Sequence, residues 1–252
     1  MTSDHQSKRI QITGASSGLG AEMARQLATG NDLALCARRT DRLEALREEI
    51  LAAHPDRRVE VRALDVNDHD QVFAVFRDFG SELGTIDRIV INAGLGKGAP
   101  LGTGKFEANR ETAMTNFVAA LAQSEAAMEI FRAQGSGHLV MISSMSAMRG
   151  MPKNLTTYAA TKAGVAHLAE GLRMELHGKP IKVSVIYPGY IASEMNEGIP
   201  STPLMVSTEK GVRAIVAAIE KEKASACVPP VPWAPMSMVM KHAPLPVLKR
   251  LI

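Results

Sequence analysis

The run Tyr158-Ala159-Ala160-Thr161-Lys162 sets a phenol and an ammonium four residues apart, on one face of any helix that contains them. A phenol titrating near pH ~10 moves protons poorly at neutrality. A neighbouring cation favours the phenolate, so Lys162 is expected to lower the Tyr158 pKa. Tyr158 then gives a proton to a carbonyl oxygen or takes one from an alcohol. The same spacing also arises by packing alone, so the chemistry depends on what else the chain brings to this face.

A second candidate site is the loop Thr13-Gly14-Ala15-Ser16-Ser17-Gly18-Leu19-Gly20, between an apolar run and a helical pattern. Gly14, Gly18 and Gly20 allow a tight turn and close approach of the backbone to a pyrophosphate, which the N–H groups and positive dipole end of the helix start would hold. The loop reads GxxxGxG rather than the commoner GxGxxG. The next strand ends Cys36-Ala37-Arg38-Arg39 and offers no acid to a ribose 2′-hydroxyl. Arg38 presents a planar fork suited to a 2′-phosphate, with Arg39 as a second cation, which favours NADP(H) over NAD(H). The plainer alternative is a pair of solvated arginines at a strand end. Asp65 is a candidate acceptor for an adenine amino group or, alternatively, a cap for the helix that follows.

These residues need a frame. Apolar runs at Arg9–Thr13, Leu33–Ala37, Val59–Leu64, Arg88–Asn92, His138–Ser143, Lys182–Tyr187 and Ala226–Val228 predict strands. Helical patterns fall between them at Leu19–Ala28, Arg42–Ala53, Gln71–Leu83, Glu107–Arg132, Tyr158–Leu176 and Glu209–Glu220. Strands alternating with helices call for right-handed crossovers and a parallel sheet, and continuous apolar runs call for burial on both faces. The expectation is an α/β chain: one doubly wound, Rossmann-type domain over residues 1–252, with about seven strands.

At this point the sequence resembles the short-chain dehydrogenase/reductase family over nearly its whole length. The resemblance rests on TGASSGLG at 13–20, Asp65-Val66, Asn92-Ala93-Gly94, Asn116, Ser143-Ser144, YxxxK at 158–162 and Pro188-Gly189. It implies that Ser144 holds and polarises a substrate carbonyl, and that Tyr158 is the acid/base. It further implies that Lys162 binds the nicotinamide ribose and that Asn116 holds a water in a proton relay, or serves as a helix-bend residue, or both. Asn92, Ala93 and Gly94 are implied to pack beside the cofactor. Pro188 and Gly189 shape the turn under the nicotinamide, where the Ile191 backbone meets the carboxamide. Ser193 stands where many members have threonine, and Ala147 where many have glycine. Ser144 lies fourteen residues before Tyr158, one more than the usual family spacing, which leaves Ser143 and Ser146 as weaker alternatives. The family is commonly dimeric or tetrameric, so a homodimer or homotetramer is expected.

Met141, Met145, Met148 and Met151 cluster around Ser144. Residues 190–206, a lid by resemblance, carry Tyr190, Met195 and Met205. Methionine adapts to irregular apolar shapes, which suggests a lipophilic carbonyl or alcohol substrate touching Met145, Met151, Tyr190 and Met195; the alternative is methionines filling core gaps. Gly94–Gly104 suggests a flexible wall. The tail 229–252 is rich in proline, holds the one tryptophan, Trp233, and carries three cations and no acid. Its proline density argues against one continuous helix through its first part. It is expected to pack on protein, with peripheral contact to an anionic membrane as the alternative.

Other classes are set aside by composition. The +3 net charge resides in the tail, leaving no basic stripe for nucleic acid. The polar opening MTSDHQSKR and the lack of a long apolar run lead to the expectation of a cytoplasmic protein with neither signal peptide nor spanning helix. Cys36 and Cys227 are expected as reduced thiols, and no His or Cys spacing suggests a metal site. The leading reading is an NADP(H)-dependent oxidoreductase interconverting a carbonyl and a secondary alcohol. Its rivals are a 3-oxoacyl-thioester reductase and a non-catalytic NADP(H)-binding sensor or scaffold.

Overall fold

The computed structural model describes residues 7–194 and 204–251. Seven strands form one parallel sheet: β1 (Arg9–Thr13), β2 (Asp32–Ala37), β3 (Val59–Ala63), β4 (Arg88–Ile91), β5 (Gly137–Ile142), β6 (Ile181–Pro188) and β7 (Ser225–Val228). Their order is β3-β2-β1-β4-β5-β6-β7. Every expected strand is present, with boundaries shifted by a residue or so, where fraying makes ends least predictable.

Side chains alternate across the pleat, yet both faces are apolar. Ile10, Ile12, Leu33 and Leu35 point to the face covered by α1 (Gly18–Leu27), α2 (Thr40–Ala53) and α7 (Thr208–Glu220). Ile89, Ile91, Leu139 and Met141 point to the face covered by α3 (His69–Leu83), α5 (Ala119–Gln134) and α6 (Thr156–Glu175). Phe76, Phe79 and Phe131 are wholly buried on the second face, each stabilising by about 1.5–3 kcal/mol. Met141 therefore fills the core, as the plainer reading of the methionine cluster holds.

The single long helix expected at 107–132 is divided. It runs as α4 (Phe106–Ala113), a wide π turn at Met114–Val118, then α5, ending where Gly135 takes a left-handed conformation. Asp68, not Asp65, caps α3, accepting from the Gln71 N–H at 3.0 Å. Asp65 instead accepts from the Asn67 N–H at 3.0 Å.

The tail folds back on the domain as α8 (Pro230–His242) and α9 (Leu245–Leu251). The prolines do interrupt α8: Val231 leaves helical geometry (φ −108°, ψ 129°), and the regular helix starts at Pro232. Pro235 is tolerated because it lies in that first turn, and the carbonyl its ring would strike belongs to the non-helical Val231. Among the described residues, no helix is long and apolar enough to cross a membrane.

The order reverses between β1 and β4. The chain winds one way from β1 to β3 and the other way from β4 to β7, so loops at the carboxyl ends of β1 and β4 diverge and leave a crevice. The candidate residues converge on that crevice.

Candidate active site

A cavity of about 1040 Å³ opens along the carboxyl ends of the strands. One end is built by the loop between β1 and α1. Gly14 sits at φ +65°, and a Cβ there would come within 2.9 Å of the Ala93 Cα. A Cβ at Gly20 would overlap the Gly14 carbonyl oxygen. Both positions require glycine for the loop to lie flat against β4. The Asn92 side chain fixes this contact, donating to the Thr13 carbonyl at 3.0 Å, while the Thr13 hydroxyl accepts from the Asn92 N–H at 3.1 Å. The first turn of α1 contains no acid, so the positive end of its dipole is left for an anion.

Ser16, Ser17, Gly18, Leu19, Arg38 and Arg39 line this end, with Asp65 and Val66 beside them. Arg39 reaches back over the loop, its Nη2 donating to the Ser17 hydroxyl at 2.6 Å and its Nε to the Ser16 hydroxyl at 3.3 Å.

The middle of the cavity holds the proton-transfer candidates. Tyr158 and Lys162 come from α6, and Ser144 from the segment after β5, where it caps a short helical turn at Met145–Met148. Ser144 hydrogen-bonds to Tyr158 and accepts from the Ser146 N–H at 3.2 Å. The Lys162 ammonium lies 5.9 Å from the centre of the Tyr158 ring and donates to the Ile142 carbonyl at 3.0 Å. The Ser143 hydroxyl, on the same wall, donates to the Lys162 carbonyl at 2.7 Å and ties β5 to α6. The Ser146 hydroxyl is buried without a partner on the same wall.

One electrostatic expectation is corrected. Burial raises the Tyr158 phenol above its ordinary value, opposed by the Ser144 hydrogen bond; Lys162 does not lower it here. The same desolvation pulls Lys162 down to about 8, weakening the cation on which the expected lowering depended.

Asn116 lies in the π turn behind the cavity. Its side chain accepts from the Leu95 N–H at 2.8 Å and donates to the Leu95 carbonyl at 2.9 Å. The side chain thus bonds the backbone, as the helix-bend reading expects, and its oxygen and its amide nitrogen each keep capacity for one more hydrogen bond. The stretch after Gly94 is less loose than its glycines suggest: Asn109 bonds both backbone groups of Ala99 at 3.1 Å. Ala93 and Gly94 line the cavity. A Cβ on Gly94 would lie 3.1 Å from the Asn116 Oδ1 and 3.5 Å from the Lys162 Nζ, so glycine keeps this wall flat.

The far end is apolar, lined by Met145, Met151, Tyr190, Leu204 and residues of the tail. Pro188, Gly189, Ile191 and Ser193 form its border with the middle section. Ile191 pairs with Val206 in an isolated bridge, drawing the two stems of the segment 190–206 together. Met195 and Ile199 lie outside the described residues. Sequence reasoning missed the tail's share of this wall: Trp233, Met236, Val239, Met240 and Leu248. The Trp233 indole covers Gly189, where a Cβ would stand inside the ring, and meets Tyr190 edge-on at 5.3 Å. A usable signal existed, since a lone tryptophan among methionines is seldom left in water.

The arrangement suits a nicotinamide dinucleotide in chemistry: a glycine cradle, a flat central wall, and a phenol beside apolar lining. A family model described as short chain dehydrogenase matches residues 8–204. The chain is 53% identical over 244 residues to an uncharacterised oxidoreductase of Mycobacterium tuberculosis, covering 96% of each. Among solved structures, a short-chain dehydrogenase from Burkholderia cenocepacia in complex with NADP superposes with TM-score 0.80 at 23% identity, covering 98% of each chain. A short-chain dehydrogenase/reductase from Burkholderia phymatum in complex with NAD superposes with TM-score 0.82 at 19% identity, covering 92% of each. At those identities the superpositions speak for the fold. The chain belongs to the short-chain dehydrogenase/reductase family and is an oxidoreductase of the CH–OH/C=O class that uses NAD(P).

Proposed function

We propose that this chain is an NADP(H)-dependent oxidoreductase that interconverts a lipophilic carbonyl compound and its secondary alcohol, with Tyr158 as the acid/base. The observation that carries the reading is that one cavity is lined by Tyr158 and Ser144, by Arg38 and Arg39, and by apolar residues such as Met145, Met151, Trp233 and Met236.

Gly14, Ser16, Ser17, Gly18, Leu19 and Gly20 would form the pyrophosphate cradle, with Arg38 and Arg39 reading a 2′-phosphate. Asp65 and Val66 would border the adenine. Asn92, Ala93, Gly94 and Lys162 would border the nicotinamide ribose, and Pro188, Gly189, Ile191 and Ser193 the carboxamide. The bound cofactor supplies or accepts the hydride.

The chain's own residues handle the oxygen. Ser144 and Tyr158 hydrogen-bond to it, which polarises a carbonyl and fixes its face. Tyr158 donates its phenolic proton as the oxygen gains charge, and takes a proton back in the reverse direction. A phenol raised by burial is a neutral donor at pH 7, which suits reduction. Lys162 stands behind the ring as the proton source that restores it, and the Asn116 π turn would carry the relay outward. Met145, Met151, Trp233, Met236 and Met240 give the substrate an apolar, adaptable seat, which supports a lipophilic compound over a small polar one.

The test is calorimetric titration with NADPH and NADH, followed by a screen of long- and short-chain carbonyls with wild-type protein and Tyr158→Phe. Expected are tighter binding of NADPH, faster turnover of the longer substrates, and a loss of kcat of roughly 10²–10⁴-fold in the variant with cofactor affinity retained. Preference for NADH overturns the arginine reading. Preference for short polar substrates overturns the lipophilic one, and unchanged turnover in Tyr158→Phe overturns the catalytic one.

A further inference from the structure

Just past the Ile191 bridge, Glu194 turns back across the mouth of the cavity to the end of β2 and the start of α2. Its Oε2 accepts from Nη1 and Nη2 of Arg39, both at 3.2 Å, and its Oε1 accepts from Nη1 of Arg42. The Ser17 hydroxyl also hydrogen-bonds to the carboxylate. Arg39 in turn holds the hydroxyls of Ser16 and Ser17. Two guanidinium forks and a loop hydroxyl beside a helix start make a donor set suited to phosphate oxygens. Here a carboxylate of the chain itself sits on it. Arg38 lines the same mouth and pairs with no carboxylate among the described residues.

The contact is weak enough to be exchanged. The side chains of Glu194, Arg39 and Arg42 are 44%, 42% and 46% exposed, and pairs so open to water hold only weakly. Glu194 remains charged at neutral pH, since its hydrogen bond to Arg42 holds the carboxyl below its usual range. A doubly charged phosphate outcompetes one carboxylate for the same donors.

Resting on the reading of Arg38 and Arg39 as phosphate readers, we propose that Glu194 is an internal occupant of the 2′-phosphate subsite, displaced by NADP(H) and left in place by NAD(H). Glu194 is thus a specificity-determining residue. It weakens NADP(H) binding by the strength of its own contact and ties the position of the 190–194 stem to the kind of dinucleotide bound. A cofactor without the extra phosphate leaves Glu194 on Arg39 and Arg42. One that carries it releases the stem from α2.

The experiment is isothermal titration of wild-type protein, Glu194→Gln and Glu194→Ala with 2′,5′-ADP, ADP, NADPH and NADH. Both variants are expected to bind 2′,5′-ADP and NADPH about fivefold more tightly than wild type, with ADP and NADH changed by less than about twofold. If wild type prefers 2′,5′-ADP to ADP and the variants leave both affinities unaltered, the Glu194 inference falls while the arginine reading stands. If neither wild type nor variants distinguish 2′,5′-ADP from ADP, the arginine reading falls and takes this one with it. Weaker binding of all four compounds by the variants would make Glu194 a clamp on bound nucleotide and overturn the proposal.

Discussion

The two ends of the central sheet both bury ionisable side chains, and they treat them in opposite ways. At the amino ends of the strands, Arg88 is completely buried, donating from Nε to His138 Nδ1 at 2.9 Å and pairing through Nη1 with Glu220. Arginine has only donors, so His138 Nδ1 must accept, and the ring proton lies on Nε2, donated to the Ser184 hydroxyl at 2.7 Å. Within this set Arg88 Nη2 alone lacks a hydrogen-bond partner, and it lies 4.0 Å from Glu222 Oε1, so the charge is paired on two sides. At the carboxyl ends, Lys162 is buried and Tyr158, Ser144 and Ser146 are half-buried, but they line a cavity, and the Ser146 hydroxyl has no partner. A buried polar group with its partners supplied is architecture; one facing a cavity with bonding capacity unspent is available for a ligand.

That contrast can be broken in three ways, taken here in order of effect. Arg88→Ala removes a long buried side chain and unpairs His138, and is expected to cost about 3 kcal/mol in urea unfolding with kcat of the folded fraction unchanged. Lost turnover without lost stability would mean the closed end takes part in the chemistry.

The next effect is a pH dependence. Burial, aided by the neighbouring Arg88 charge, lowers the His138 pKa from 6.5 to about 3. Between those values the unfolded chain holds one more proton than the folded one, so this group makes stability fall as pH falls, by about 1.4 kcal/mol per pH unit. His138→Gln keeps an acceptor and a donor at the site, and its unfolding midpoints at pH 7, 6 and 5 should fall less steeply than those of wild type. Equal slopes would refute a neutral buried ring.

The smallest effect carries the opposite sign. Lys162 is held down at about 8 by desolvation, a cost the fold bears at neutral pH. Lys162→Met is therefore expected to abolish turnover while raising stability by about 1 kcal/mol, the trade typical of a strained active site. A loss of stability in that variant would move Lys162 into the same category as Arg88.

Local features were the legible part of the sequence. The glycine loop and the Tyr158/Lys162 pair were readable because each is a short run whose chemistry depends on spacing within a few residues. The strands were readable because a sheet buried on both faces leaves continuous apolar runs such as Ile89–Ile91 and Leu139–Ile142. Contacts closed by the whole fold were hidden. Glu194 meets Arg39 across 155 residues, and nothing in the stretch around it marks it as that arginine's partner. The electrostatics of Tyr158 were misjudged for the same reason: adjacency to Lys162 can be read from spacing, whereas desolvation depends on every element that closes over the ring. The tail prolines signalled interruption correctly, but not that the helix beyond them would roof the cavity.

The roof has a consequence for how the cavity is divided along the chain. The family match spans residues 8–204, whereas Trp233, Met236, Met240 and Leu248 belong to α8 and α9, downstream of it. The cradle lies wholly within the matched stretch, whereas the chamber takes one part of its wall from within it and another from beyond it. A change in the last two helices therefore reshapes the chamber while leaving the glycine cradle as it is.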